Sequence, residues 1–264
     1  MSDLATSVHL SERQVRRKLK GASCPEHVRF KRGTEIVLVT DTTYFDAFGV
    51  MVFRSWTHRS NIYWFFVTEE TNADYLSGIK RLEDDFGYRV VATVCDGKKW
   101  LCEQFRAAGY PVQHCQFHIL KTVTRHLTRH PVLEAGIELR RIAMMLKHAS
   151  RASFTGALHD WFGRWKIFLK ERTTDPVTGR WQYTHRRIRG AYTSLMHALP
   201  FLFTFEDYPD LDIPKTTNTL DGTFSHLKQK IYVHRGLNVE TQKKMIGTIL
   251  NVPAQTKRPT ENVH

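Results

Sequence analysis

The sequence predicts an α/β fold, and three observations carry it. Residues 35–41 (EIVLVTD) and 88–96 (YRVVATVCD) are short runs rich in β-branched residues, the composition of buried strands, and each closes on an aspartate. Between and after these runs lie segments whose apolar residues recur at helical spacing. The second half of the chain is helical in pattern almost throughout.

Taken in order, a first strand ends at Asp41, a second covers Phe48–Ser55 and a third covers Asn61–Thr68, joined by pieces short enough for a meander. Thr71 or Asn72 caps a helix to about Phe86, with Tyr75, Leu76, Ile79, Leu82 and Phe86 on one face, and Gly87 stops it. The strand to Asp96 follows, then a helix over Lys98–Ala108 and a short strand over Tyr110–Cys115. Three strands, helix, strand, helix, strand is the order of a ribonuclease-H-like core. Helices are expected over 116–129, 133–149, 151–172 and 184–198, with a polar loop at 173–179. Residues 215–219 lead into a final helix to about Lys230, and 251–264 read as a flexible tail.

The N-terminus has its own pattern. Ser2–Val8 and Glu12–Leu19 read as two short helices joined by a turn, with Arg13, Arg16, Arg17 and Lys18 facing outward. Residues 1–20 thus form a helix-turn-helix-like segment whose second helix suits the major groove; an amphipathic lead-in is the plainer alternative. Residues 21–34 are a linker.

Lys and Arg number 39 against 26 Asp and Glu over 264 residues, a formal net charge of +13, which favours a polyanionic partner. The cysteines (Cys24, Cys95, Cys102 and Cys115) form no CxxC pair or dense framework, as in a reduced compartment. Neither end reads as a signal peptide, and the apolar segments fall short of the roughly 20 residues a membrane span needs.

Carboxylates at the ends of core strands are held rigidly yet reach solvent, as metal ligands must. Asp41 and Asp96 fit that description, and Asp221, within Thr216–Gly222, offers a third from a later helix. Divalent ions held by such acids activate one oxygen and stabilise another at a phosphodiester, and hard oxygen ligands suit magnesium. Cys115 and His118 alone are too few for a closed zinc site. His118 either supports the acids or is a partly buried histidine satisfied by backbone. Trp161 and Trp165 share a helix face, which is usually core; the alternative is that one stacks on an unpaired base. Arg186 and Arg187 near Trp181, and Lys228, Lys230, His234 and Arg235 after the third acid, are candidate phosphate contacts, with a solvated charged face as the alternative.

These motifs, in this order, resemble the Mutator-like and related bacterial insertion-sequence transposases. Asp41 stands in a Val39-Thr40-Asp41 context, Asp96 precedes Gly97, Cys115 and His118 match the Cys-x-x-His signature, and Thr217-Asn218-Thr219-Leu220-Asp221 matches the Thr-Asn-x-x-acid helix. The resemblance covers about residues 35–250. It implies a catalytic triad of Asp41, Asp96 and Asp221 holding two Mg2+ ions (Mn2+ substituting), with Cys115, His118 and Asn218 in support. It also implies a core of 35–118 with 216–250, a helical insertion at 119–215, and a DNA transposase that cleaves element ends and transfers strands. Expected partners are double-stranded DNA, the terminal inverted repeats and target DNA, in a homodimer in the bacterial or archaeal cytoplasm at the nucleoid, without a membrane. The usual third acid is glutamate, and the N-terminal region is short; both raise the alternative of a decayed or domesticated transposase that only binds DNA.

Overall fold

A computed structural model describes residues 11–21, 27, 29–97, 99–233 and 236–251. Its elements are α1 (Glu12–Gly21), β1 (Glu35–Tyr44), β2 (Gly49–Ser55), β3 (Ser60–Val67), α2 (Asn72–Asp84), β4 (Arg89–Cys95), α3 (Lys99–Ala107) and β5 (Val112–His114). They continue with α4 (Gln116–Leu127), α5 (Glu134–Met145), α6 (Arg151–Trp165), β6 (Arg172–Thr174), β7 (Trp181–Tyr183), α7 (Arg186–Ala198), α8 (Asn218–Val233) and α9 (Val239–Leu250). Among the described residues no helix is long and apolar enough to cross a membrane. The first of the two N-terminal helices, residues 2–8, lies outside the described residues, as does the tail from 252.

One mixed five-stranded sheet runs in the order β3-β2-β1-β4-β5, flanked by helices. β1 and β2, and β2 and β3, pair antiparallel, whereas β4 and β5 pair parallel. That is the expected ribonuclease-H-like order. β1 is the central strand, and Ile36 through Val39 are essentially without exposure, which explains the unbroken apolar run in its sequence. Thr71 settles the cap of α2. Its hydroxyl accepts from Asp74 N–H at 3.1 Å, while the Asp74 carboxylate accepts from Thr71 N–H at 3.2 Å, a reciprocal capping box. Tyr75, Gly78, Ile79 and Leu82 then point inward at helical spacing.

The contacts divide the chain into two compact units, Met1–Val90 with Thr219–His264, and Val91–Asn218. In the second unit the helices build their own core, in which Leu139, Phe154, Leu158, Trp161, Leu195 and Phe203 are fully buried. In the first unit α8 buries Leu220, Phe224, Leu227 and Ile231, and the Asn61 side chain donates to the Leu250 carbonyl at 3.0 Å.

Several expectations are corrected. β1 continues to Tyr44, so Asp41 lies inside the strand and not at its end. The helix expected over 151–172 stops at Trp165, and part of the polar loop is a hairpin: β6 and β7 pair antiparallel around a turn in which Asp175 accepts from Val177 and Thr178 N–H groups. The helix to Lys230 runs on to Val233, and α9 follows it, capped by Asn238, whose side chain accepts from Thr241 N–H at 2.9 Å.

Gly78 supplies a test of the packing of α2 on the sheet. A Cβ placed there would stand 2.1 Å from Cζ of Phe53, whose ring is fully buried. Gly78→Ala gains about 0.5–1 kcal/mol of helix propensity but overpacks a site with no room to yield. The variant is expected to lose about 1–3 kcal/mol in urea denaturation. An unchanged or raised midpoint would contradict the packing.

Candidate metal centre

Asp41 and Asp221 both belong to the first unit and are brought together. Asp41 sits in the central strand opposite Val52 and is 7 % exposed. Its Oδ1 accepts from the Thr42 N–H at 2.8 Å. Asp221 lies in the first turn of α8, where the helix dipole favours a negative charge. A carboxylate oxygen of each lies within 4.8 Å of the other. At an effective dielectric of 20 two unit charges at that separation repel by on the order of 3 kcal/mol. The Oδ2 of Asp221 is also buried and has no hydrogen-bond partner among the described residues. A buried, unpartnered oxygen on a carboxylate that has a second carboxylate close by is unfavourable by itself and favourable around a cation. The donor set fits a hard divalent ion.

Close to Asp41, Thr42 Oγ1 lies 2.8 Å from the Tyr75 hydroxyl, which donates to Glu70 Oε1 at 2.7 Å. Burial and the Glu70 carboxylate hold the Tyr75 phenol well above its ordinary value, so it stays protonated.

The second unit holds Asp96, Cys115 and His118. Asp96 follows β4 and precedes Gly97, whose φ is +65°. A Cβ on Gly97 would fall 1.6 Å from His114 Nε2, so the turn after Asp96 admits only glycine. His114 Nδ1 lies 3.0 Å from the Cys115 carbonyl; burial holds its pKa below the ordinary imidazole value despite nearby Asp96. Asp96, Gly97, His114, His118, Thr122 and His197 line a cavity of about 170 Å³.

Cys115 is fully buried and accepts from the Thr217 N–H at 3.2 Å and the Thr217 hydroxyl at 3.4 Å. Burial pushes its thiol up, but hydrogen bonds from His118 and Thr217 outweigh that and leave it below the usual value. Gln116 N–H donates to the Lys215 carbonyl at 2.9 Å. The cysteine of the signature is therefore a latch on residues 215–217, which lead directly into α8. Asn218 opens that helix with an exposed side chain.

The candidate DNA contacts separate clearly. Arg13 and Arg17 on α1 and Lys228 and Lys230 on α8 are exposed. The Arg16 side chain, and His234 and Arg235 entirely, lie outside the described residues. Arg186 is exposed and its Nη1 donates to Gln182 Oε1 at 3.3 Å. Arg187 instead binds the carbonyls of His126 and Arg125 at 2.8 and 3.3 Å, satisfying the C-terminal end of α4. Trp161 is corrected: it is 0 % exposed and its indole N–H donates to the Ala135 carbonyl at 2.9 Å, so it packs the helical core and stacks on no base. Trp181 on the hairpin is exposed, at 55 %, as Trp100 on α3 is at 65 %, and the Arg172 guanidinium lies 4.1 Å from the Trp181 ring centroid. Its neighbourhood was legible as basic and aromatic, but the hairpin that presents it was not.

No protein-family model and no curated protein matches the sequence. Among solved structures, a chain of the simian T-cell lymphotropic virus intasome in complex with PP2A regulatory subunit B56 gamma is similar over 56 % of this chain and 68 % of that one, at 14 % identity and a TM-score of 0.26. The large terminase nuclease from the thermophilic phage G20c is similar over 67 % of this chain and 95 % of that one, at 9 % identity and a TM-score of 0.23. At such scores neither likeness says what this chain does.

The carboxylate pair makes a prediction in the absence of any substrate. Asp221→Asn removes one of two facing charges, so the metal-free variant is expected to be more stable by roughly 1–2 kcal/mol, less what the helix dipole loses. Manganese is expected to raise the wild-type melting temperature, by about 2.7 kcal/mol of stabilisation at a hundred times Kd, and to leave the variant unmoved. Equal manganese shifts in both proteins, followed by calorimetry, would exclude Asp221 as a ligand.

Proposed function

We propose that this protein is a metal-dependent enzyme that cuts and joins DNA strands, a transposase of the kind its motifs resemble. The carboxylates of Asp41 and Asp221, each with an oxygen within 4.8 Å of the other, and the buried, unpartnered Oδ2 of Asp221 carry the reading. The order Asp41, Asp96-Gly97, Cys115-x-x-His118 and Thr217-Asn218-x-x-Asp221, together with a net charge of +13, supports DNA as the substrate.

In this reading Asp41, Asp96 and Asp221 would hold the divalent ions, as the motif order implies, with His118 in support. Ions so placed supply Lewis acidity to the phosphodiester, and the same chemistry serves hydrolysis at an element end and attack by the freed 3′ hydroxyl on target DNA. Cys115 holds Thr217, just before the helix that carries Asp221. Residues 35–118 with 216–250 form the catalytic core, and 119–215 form the insertion. Terminal inverted repeats and target DNA are the partners, and pairing of two ends calls for a homodimer.

The second reading, a decayed transposase that only binds DNA, draws on Asp221 standing where glutamate is usual. The shorter side chain nevertheless brings its oxygen within 4.8 Å of Asp41, which favours the active enzyme.

Nicking of a supercoiled plasmid carrying the element ends is expected in Mg2+ and in Mn2+, both of which carboxylate oxygens suit, and His118→Ala is expected to slow it less than the loss of an acid. Asp41→Asn, Asp96→Asn and Asp221→Asn are each expected to lower the rate by at least about 100-fold, a loss of about 2.7 kcal/mol in transition-state stabilisation, with DNA affinity little changed. A wild-type protein inert in both metals, yet tight on DNA, would move the conclusion to the second reading.

A further inference from the structure

α8 leads away from the carboxylate pair to a groove that the end of β1 also lines, all of it within the first unit. On β1, Tyr44 is the last residue, three beyond Asp41; alternation sends the two side chains to opposite faces of the strand, so the ring meets the groove only at the strand's end. On α8, Lys228 and Tyr232 lie seven and eleven residues beyond Asp221, about 10 and 16 Å along the axis and within roughly 20° of its direction around the helix. Tyr44, Phe45, Asp46, Lys228, Tyr232 and Gln242 line a cavity of about 480 Å³, with buried Ile231 beneath. That volume falls in the range of sites for small ligands, about 300–1,000 Å³.

The chemistry of the lining is specific. Tyr44 is 42 % exposed and Tyr232 71 % exposed, so aromatic surface is open to a ligand from both elements. Tyr44 is seated by Gly49, its partner across the β1–β2 pairing, where a Cβ would approach the ring to 3.0 Å. The exposed ammonium of Lys228 lies between the rings and the carboxylate pair along α8. The Gln242 amide nitrogen is committed to the Leu237 carbonyl at 2.9 Å, which leaves the amide oxygen as an acceptor. The exposed carboxylate of Asp46 on the β1 side repels phosphate, so a polyanion is directed along the α8 side, past Lys228.

We propose that this groove binds one unpaired nucleotide of the DNA strand whose phosphodiester lies at the carboxylate pair. The base stacks on the tyrosine rings and a phosphate of the same strand meets Lys228. A distance of about 10 Å corresponds to roughly three stacked nucleotides at 3.4 Å each. Stacking needs a base face that a duplex does not expose, which selects an unpaired end or a strand opened at the cut. This inference rests on the function proposed above.

The test is binding, measured by fluorescence anisotropy in calcium at fixed salt, of a duplex with a short single-stranded tail against the same duplex with blunt ends. Tyr232→Ala is expected to weaken the tailed duplex about tenfold and leave the blunt one unchanged, while Tyr232→Trp keeps the preference. Lys228→Ala is expected to lower the log–log salt slope by about one. Wild-type protein should also crosslink 5-iodouracil in the tail to Tyr44 or Tyr232, a readout that needs no variant to fold. Crosslinks confined to other surfaces, or a tail preference untouched by Tyr232→Ala, would overturn the groove. Plasmid cleavage by the same proteins separates the two claims. Ring-dependent tail binding without any cleavage by wild type leaves the groove standing and removes the enzyme; cleavage without ring dependence removes the groove alone.

Discussion

Mutual repulsion of Asp41 and Asp221 is the constraint around which the rest of the first unit is arranged. A surface pair of acids this close would swing apart at little cost. Here Asp41 sits in the central strand, 7 % exposed, and the backbone of Asp221 is set by a helix that buries Leu220, Phe224, Leu227 and Ile231, so the two elements cannot move apart without exposing apolar surface. A divalent cation turns the same rigidity into an advantage, since ligands already in place lose little freedom on binding.

Each motif flanking the acids has a structural task. Cys115 takes both donors of Thr217 and so fixes the approach to α8. Gly97 adopts a positive φ and leaves room for the His114 ring, fixing the turn after Asp96. Arg187 closes the end of α4 through the carbonyls of His126 and Arg125. Residue types that read as chemistry in a sequence are here often the supports of chemistry performed by neighbours.

The core strands were legible because burial on both sides leaves an unbroken β-branched run, and α2 because its cap and its inward stripe agree. Asp41 and Asp221, which the structure brings together, were legible from their contexts, although Asp41 was expected at a strand end: Thr42, Thr43 and Tyr44 carry no apolar run, yet they continue the pairing to Gly49. The hairpin escaped because β6 and β7 are three residues each and mostly exposed, so neither has an apolar alternation to read. α9 escaped because only Ile246, Gly247 and Leu250 are buried in it, a stripe too sparse to announce a helix, although Asn238 at its start is a standard cap. Trp161 illustrates the opposite error. An indole is large enough to serve either a base or a core, and only the surrounding helices decide between them.

The central claim is that Asp41 and Asp221 share a cation. Anomalous diffraction at the manganese edge, from crystals soaked in Mn2+, tests it without reference to substrate or activity. The account predicts a peak bonded to one oxygen of each carboxylate at about 2.1 Å, the distance of a small hard divalent ion. An ordered pair of carboxylates with no peak between them at millimolar manganese, or a peak held by other residues alone, would contradict it.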